Sequence, residues 1–210
     1  MVDFQSRDTR RSDDEDEKKA ETETEEPEPT HDETPEETHD HDAETDDHHH
    51  HDIESLGVAV VTVSSSRSLS DDPSGDAIVE ILERDGDRVV SRDLVADDFD
   101  GVQSAVDGLV GRSDVDAVVT TGGTGVTPDD VTIEAVAPLF DKELPGFGEL
   151  FRLLSHDEIG TKVVGTRARA GIADGTPVFC LPGSENAARL GAERIIVEEA
   201  GHLAGLASRE

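Results

Sequence analysis

The sequence predicts an α/β fold, a three-layer doubly wound and mostly parallel sheet preceded by a disordered acidic tail, and three observations carry that expectation. From Leu56 onward, short apolar runs of strand length alternate with amphipathic helical stretches. One run, Asp116-Ala117-Val118-Val119, ends in Thr120-Thr121-Gly122-Gly123-Thr124-Gly125 and leads into a helical pattern from Ile133. A strand that ends in glycines and enters a helix presents backbone N–H groups and a helix N-terminus to an anion. Residues 1–53, in contrast, hold almost no aliphatic side chains and cannot bury enough surface to offset their ordering entropy. The expected division is therefore a tail over 1–53 and one domain over 54–210.

The elements follow in order. Leu56 to Val63 is a first buried strand, ending in Ser64-Ser65-Ser66-Arg67. Asp76 to Arg84 is amphipathic, with Ile78, Ile81 and Leu82 on one face, and Asp85-Gly86 ends it. Arg88 to Val95 is a second strand. Asp97-Asp98-Phe99-Asp100 offers N-cap carboxylates to a helix that turns Val102, Val106, Leu109 and Val110 inward. The third strand and its glycine loop come next, then a helical stretch to Phe140. Leu144 to Leu154 reads as a loop passing into a short helix. Residues 161–181 read as short strand-like pieces broken by Gly165, Gly171 and Gly175. Pro182-Gly183-Ser184 starts a last long helix toward Leu206.

Composition excludes several functions. The chain carries 51 acidic and 18 basic residues, net −33, with −17 in residues 1–52 and −16 in the rest. Only four of the basic residues are lysines. An acidic, lysine-poor surface suits molar salt, where repulsion is screened within roughly 3 Å, so a halophilic source is expected. Nucleic-acid binding is not, because it needs clustered Lys and Arg. The single cysteine, Cys180, lies in the apolar run Val178-Phe179-Cys180-Leu181 and reads as a buried, inert thiol. No apolar stretch approaches the roughly 20 residues of a membrane span, and a cytoplasmic protein is expected. His48 to His51 could chelate a transition metal, but low-complexity polar sequence is the ordinary reading of such a tail.

Ligands of open parallel sheets bind outside the carboxyl ends of the strands. Four loops qualify there: Ser64–Gly75, Leu94–Asp98, Thr121–Asp130 and Pro182–Ser184. They supply hydroxyls, amides and the carboxylates Asp71, Asp72, Asp97, Asp98, Asp129 and Asp130. Carboxylates kept beside a phosphate site imply a metal between them, since the two anions repel. Among these carboxylates, Asp97 and Asp130 are read as lying at two neighbouring strand ends. No serine–histidine–acid set is evident, and no lysine follows the glycines as a P-loop requires. Each residue also has an ordinary structural use: Asp97 and Asp130 as helix caps, the glycines as a tight turn, Gly146 and Gly148 as a C-cap, and Phe147 as core.

Thr121-Gly122-Gly123-Thr124-Gly125, Asp130-Val131-Thr132, Pro145-Gly146-Phe147-Gly148-Glu149 and Pro182-Gly183-Ser184, in that order, resemble the molybdopterin adenylyltransferase family, the MoaB and Mog proteins. The resemblance runs from Leu56 to the C-terminus, takes in Leu139–Glu143 and Ser155–Thr161, and points to a halophilic archaeal-type member. It implies transfer of AMP from Mg·ATP to molybdopterin by a homotrimer or hexamer, with the molybdenum insertase as a candidate partner. It places catalysis and Mg²⁺ binding on Asp97 and Asp130, and nucleotide binding on Gly122, Gly123, Thr124 and Gly125. It places the pterin at Gly146, Phe147, Gly148, Glu149, Thr166, Pro182, Gly183 and Ser184. Thr166-Arg167 stands where many relatives have Ser-Arg, and keeps the hydroxyl. The alternative is a non-catalytic molybdopterin-binding paralogue of the same fold.

Overall fold

A computed structural model describes residues 52–208. The expectations for residues 1–51, disorder and metal binding by His48–His51 among them, lie outside the described residues.

Six strands form one sheet in the order β2-β1-β3-β6-β5-β4. The strands are β1 (Gly57–Val63), β2 (Arg88–Val95), β3 (Ala117–Thr121), β4 (Lys142–Glu143), β5 (Arg169–Ala173) and β6 (Thr176–Leu181). β2, β1, β3 and β6 run parallel, while β5 and β4 are added antiparallel at one edge. Every residue of β1, β3 and β6 is buried, as parallel strands covered on both faces must be. The alternation of side chains then divides the core in two. Val58, Val60, Val119, Phe179 and Leu181 face one side, and Ala59, Val61, Val118, Val178 and Cys180 the other.

Helices cover both sides. α1 (Pro73–Asp85) packs Ile78, Ile81 and Leu82 on the first face, joined there by Phe147 and Phe151 of α4 (Pro145–Ile159). α2 (Phe99–Asp107) and α3 (Thr132–Val136) bring Val102, Val106, Ile133 and Val136 to the second. The C-terminal helix is α5 (Glu185–Gly191), a π-turn over Ala192–Ile196, and α6 (Val197–Ala207). It starts at Ser184, whose side chain accepts from the Ala187 amide.

Three local readings need correction. α1 begins at Pro73 rather than Asp76: Asp72 caps it by accepting from the Gly75 amide, and Pro73 sits at N1, where its missing N–H costs nothing. Pro145-Gly146-Phe147-Gly148 is the first turn of a fifteen-residue helix, not a loop before a short one. Proline again starts the helix, and Gly148 is required by a close approach, since a Cβ there would lie 2.7 Å from the Ala168 carbonyl oxygen. Residues 169–181 form a hairpin, β5 to β6, closed by Asp174 (φ 45°) and Gly175 (φ 73°) as a type I′ turn. Gly171 does not break β5; it makes room for the Phe140 ring, which a Cβ would meet at 2.4 Å.

Candidate functional site

The carboxyl ends of β1, β3 and β6 meet through glycine. The Gly122 amide donates to the Leu181 carbonyl at 3.0 Å, and a Cβ at Gly122 would strike the Val63 carbonyl oxygen at 2.3 Å. A Cβ at Gly183 would stand 3.0 Å from the Gly122 Cα, so these three strand ends are in backbone contact. Gly122 and Gly123 both have positive φ, 100° and 63°, which bends the loop back on itself. Thr132 then locks it: its amide donates to the Gly123 carbonyl at 2.9 Å and its hydroxyl to the Gly122 carbonyl at 2.8 Å.

This loop walls a cavity of about 390 Å³. Gly122, Gly123, Thr124, Gly125 and Asp130 line one side of it, and Pro182, Gly183, Ser184 and Thr166 another. The loop after β1 contributes Ser64, Ser66 and Arg67. A second cavity, about 440 Å³, lies between α4 and β5. Gly148, Glu149 and Arg152 on α4 line it together with Thr166, Arg167 and Arg169, so Thr166 borders both spaces.

The structure thus gathers most of the residues singled out in the sequence, but not Asp97, Gly146 and Phe147. Helical periodicity puts Gly148, Glu149 and Arg152 on one face of α4, and turns Gly146, Phe147 and Leu150 toward an apolar groove with Phe179 and Leu203. Phe147 is core, its ring 5.4 Å from that of Phe179.

The electrostatics of the loop turn on Asp130. Its Oδ2 accepts from the Thr127 amide at 2.8 Å and the Thr127 hydroxyl at 2.6 Å. Burial pushes the carboxyl up, but the Thr127 donors, the Gly125 amide and the Arg167 charge outweigh it and hold it below the usual range. Arg167 also straps the loop. Its Nε donates to the Gly125 carbonyl at 2.7 Å, its Nη2 to the Asp130 carbonyl at 3.1 Å, and its Nη1 to Glu134.

Residues 59–202 match a family described as "Probable molybdopterin binding domain". "Molybdenum cofactor biosynthesis protein B" of Halalkalibacterium halodurans is 41% identical over 159 residues, 75% of this chain and 94% of that one. The protein of that name from Bacillus subtilis is 41% identical over 160 residues, covering 75% and 93%. The chain belongs to the MoaB/Mog family of molybdenum cofactor biosynthesis proteins. A crystal structure of the tungsten cofactor synthesizing protein MoaB from Pyrococcus furiosus superposes with a TM-score of 0.68 at 42% identity, over 75% of this chain and 99% of that one. The Mog protein of Mycobacterium ulcerans gives 0.66 at 26% identity, over 73% and 99%.

Within this MoaB/Mog fold the two aspartates do not occupy neighbouring strand ends. β1 lies between β2 and β3, so Asp97 and Asp130 follow strands two spacings, roughly 10 Å, apart. Asp98 is the residue that caps α2, accepting from the Gly101 amide at 2.8 Å, which leaves Asp97 out of that duty. Asp97 instead accepts from the Ser65 amide at 2.7 Å and is not in the lining of the 390 Å³ cavity. Among the described residues no three His, Cys, Asp or Glu side chains converge as a metal cage. That donor set fits Mg²⁺ only as a cation arriving with a phosphate, taking one or two carboxylates and filling its octahedron from phosphate and water.

Sequence reasoning missed the arginines. Arg67 appeared only as the end of a strand, Arg152 only within the stretch read as a loop and short helix, and Arg167 only beside Thr166. The scarcity of basic side chains in so acidic a chain was the available signal.

Proposed function

We propose that this protein transfers AMP from Mg·ATP to the terminal phosphate of molybdopterin, releasing pyrophosphate. The observation that carries the reading is the pair of cavities sharing Thr166, one walled by the glycine loop and edged by Asp130, the other lined by Arg152 beside the ion pairs Arg167–Glu134 and Arg169–Glu143. The first suits a polyphosphate held by backbone amides. The second suits another anion close to it, and the description of the family as molybdopterin-binding gives that anion its class.

In this reading a phosphate oxygen of molybdopterin attacks the α-phosphorus of ATP in line. The bond to the bridging oxygen breaks, and pyrophosphate leaves with the electron pair. Glycine-loop amides orient the nucleotide, so that approach of the two substrates is already paid for in binding. Asp130 at the cavity edge and Asp97 from the loop after β2 would hold the Mg²⁺ that arrives with ATP, which would supply positive charge to offset that of the departing pyrophosphate. The depressed Asp130 carboxyl keeps its charge throughout the neutral range. A homotrimer or hexamer working in the cytoplasm completes the proposal.

The test is AMP incorporation from α-labelled ATP into molybdopterin by the full-length protein in molar KCl, with and without Mg²⁺. Mg²⁺-dependent incorporation matched by pyrophosphate release is expected. Molybdopterin binding without release would replace the proposal with a non-catalytic binding paralogue.

A further inference from the structure

The loop after β1 carries an arrangement that the glycine-loop reading does not use. Among the described residues, Arg67 is the only cationic side chain lining the 390 Å³ cavity. It is held from behind by Asp72, whose side chain is fully buried. Asp72 accepts from the Thr62 hydroxyl at 2.6 Å, the Gly75 amide at 3.1 Å and the Ser74 hydroxyl at 3.2 Å. It also accepts from Arg92 Nη2 at 3.2 Å and from Arg67 Nη1 at 3.4 Å. Arg92 is partnered in turn by Asp76 at 2.6 Å. The carboxylate is thus fixed in place by five donors, and only a fixed carboxylate can aim a flexible side chain.

Arg67 Nη1 donates to the Ser74 hydroxyl at 2.5 Å and Nη2 to the Gly183 carbonyl at 3.0 Å. The guanidinium is therefore gripped on one edge while its side chain remains 31% exposed. Of its five N–H donors, the Nε–H meets no acceptor among the described residues. A guanidinium held on one side, with donors to spare, beside a row of glycine amides, has the form of a phosphate contact.

We propose that Arg67 is a binding residue for the leaving pyrophosphate end of the nucleotide, and that Asp72 is the positioning residue that holds it. The proposal rests on adenylyl transfer as the reaction, but its test does not need turnover. The opposing view is that Arg67 only straps the β1 loop to Gly183, in which case it matters to folding and not to anions.

Binding of Mg·pyrophosphate and of Mg·ATP to the full-length chain would be measured by calorimetry, with melting midpoints taken in the same buffer. Arg67→Ala should weaken pyrophosphate binding about tenfold to a hundredfold, the range for a lost charge-assisted hydrogen bond. Arg67→Lys keeps the charge without the fork and should fall between Arg67→Ala and wild type. Asp72→Asn should weaken binding too. Because loss of a buried charge can also unfold the loop, Ser74→Ala, which removes one grip on Nη1 and leaves Asp72 intact, provides the second measure and should weaken binding severalfold with a near-native midpoint. Arg84→Ala, at the exposed pair with Glu193, controls for charge alone and should bind as wild type does. Pyrophosphate binding by Arg67→Ala within twofold of wild type, whatever its midpoint, overturns the proposal. Wild-type protein that adenylylates molybdopterin yet binds pyrophosphate no better than Arg67→Ala overturns it while leaving the reaction standing. Wild-type protein that binds neither ATP nor pyrophosphate removes the reaction and this inference together.

Discussion

Asp97 and Ser65 bond each other twice: the Ser65 amide donates to Oδ2 at 2.7 Å, and the Asp97 amide donates to the Ser65 Oγ at 3.1 Å. The pair ties the loop leaving β1 to the loop leaving β2, just past the last register pair, Val63 with Val95. One carboxylate oxygen is committed to that tie, and Oδ1 has no donor among the described residues. An asparagine would keep an acceptor for Ser65 and lose only the charge. Asp97→Asn and Asp130→Asn should therefore melt within about 3 °C of wild type while turnover drops roughly a hundredfold or more, since in the proposed reaction each would lend a charged ligand to Mg²⁺, whose charge would be worth several kcal/mol. Adenylylation within threefold of wild type in both variants would sink the two-carboxylate arrangement.

The backbone contact at the site gives a stability prediction. Gly122→Ala meets both a left-handed φ of 100° and a carbonyl oxygen at 2.3 Å from the new Cβ. Gly86→Ala meets a similar φ, 107°, with nothing near its Cβ. The Gly86 variant should lose only conformational strain, about 1 kcal/mol, and the Gly122 variant about 2–4 kcal/mol. Denaturant titrations of the two side by side check this, and equal losses would mean the loop relaxes away from Val63.

Asp87 supplies a pH dependence. Its Oδ1 accepts from the Leu56 amide at 2.8 Å. Burial pushes the carboxyl up; the Leu56 amide draws it down less, and the charges of Asp85 and Asp116 push it up further. A folded pKa above the unfolded one means that the ionised form opposes folding at neutral pH, and that the cost vanishes as pH falls through the folded pKa. Asp87→Asn keeps the acceptor without the charge. It should raise the melting midpoint by about 1–3 °C at pH 7, with the gain shrinking on acidification and gone below the unfolded carboxyl's ordinary pKa of about 3.9. A gain that persists at acid pH would show that the charge is not its source.

Cys180 is fully buried, and burial pushes its thiol up to about 11. The thiolate is the reactive form, so the native protein should resist thiol reagents at neutral pH. Labelling should appear only across the unfolding transition. Rapid labelling of the folded protein would mean that the second face of the sheet opens locally.

A net charge of −33 on 210 residues should make folding salt-dependent, because carboxylate repulsion is unscreened in dilute buffer. The melting midpoint should climb as KCl rises from dilute to molar. A flat midpoint would show that the acidity is not an adaptation to salt.

The sequence by itself determined the elements whose signal is local. Continuous apolar runs marked β1 and β3, because a strand covered on both faces needs an apolar side chain at every position. The glycine loop and the start of the last helix at Ser184 were likewise legible, since turn and cap chemistry is written within a few residues. Tertiary structure alone decided what depends on partners far along the chain. It set β1 between β2 and β3, which separates Asp97 from Asp130. It held Pro145 to Gly148 in a helix against local glycine propensity, because that helix buries Phe147 and Phe151 in the core. It also carried Arg167 back to the Gly125 carbonyl, 42 residues away in sequence, and turned Asp72 inward to hold Arg67. A side chain's propensity is fixed by its neighbours in sequence, but its hydrogen-bond partners are fixed by which strands the sheet sets side by side.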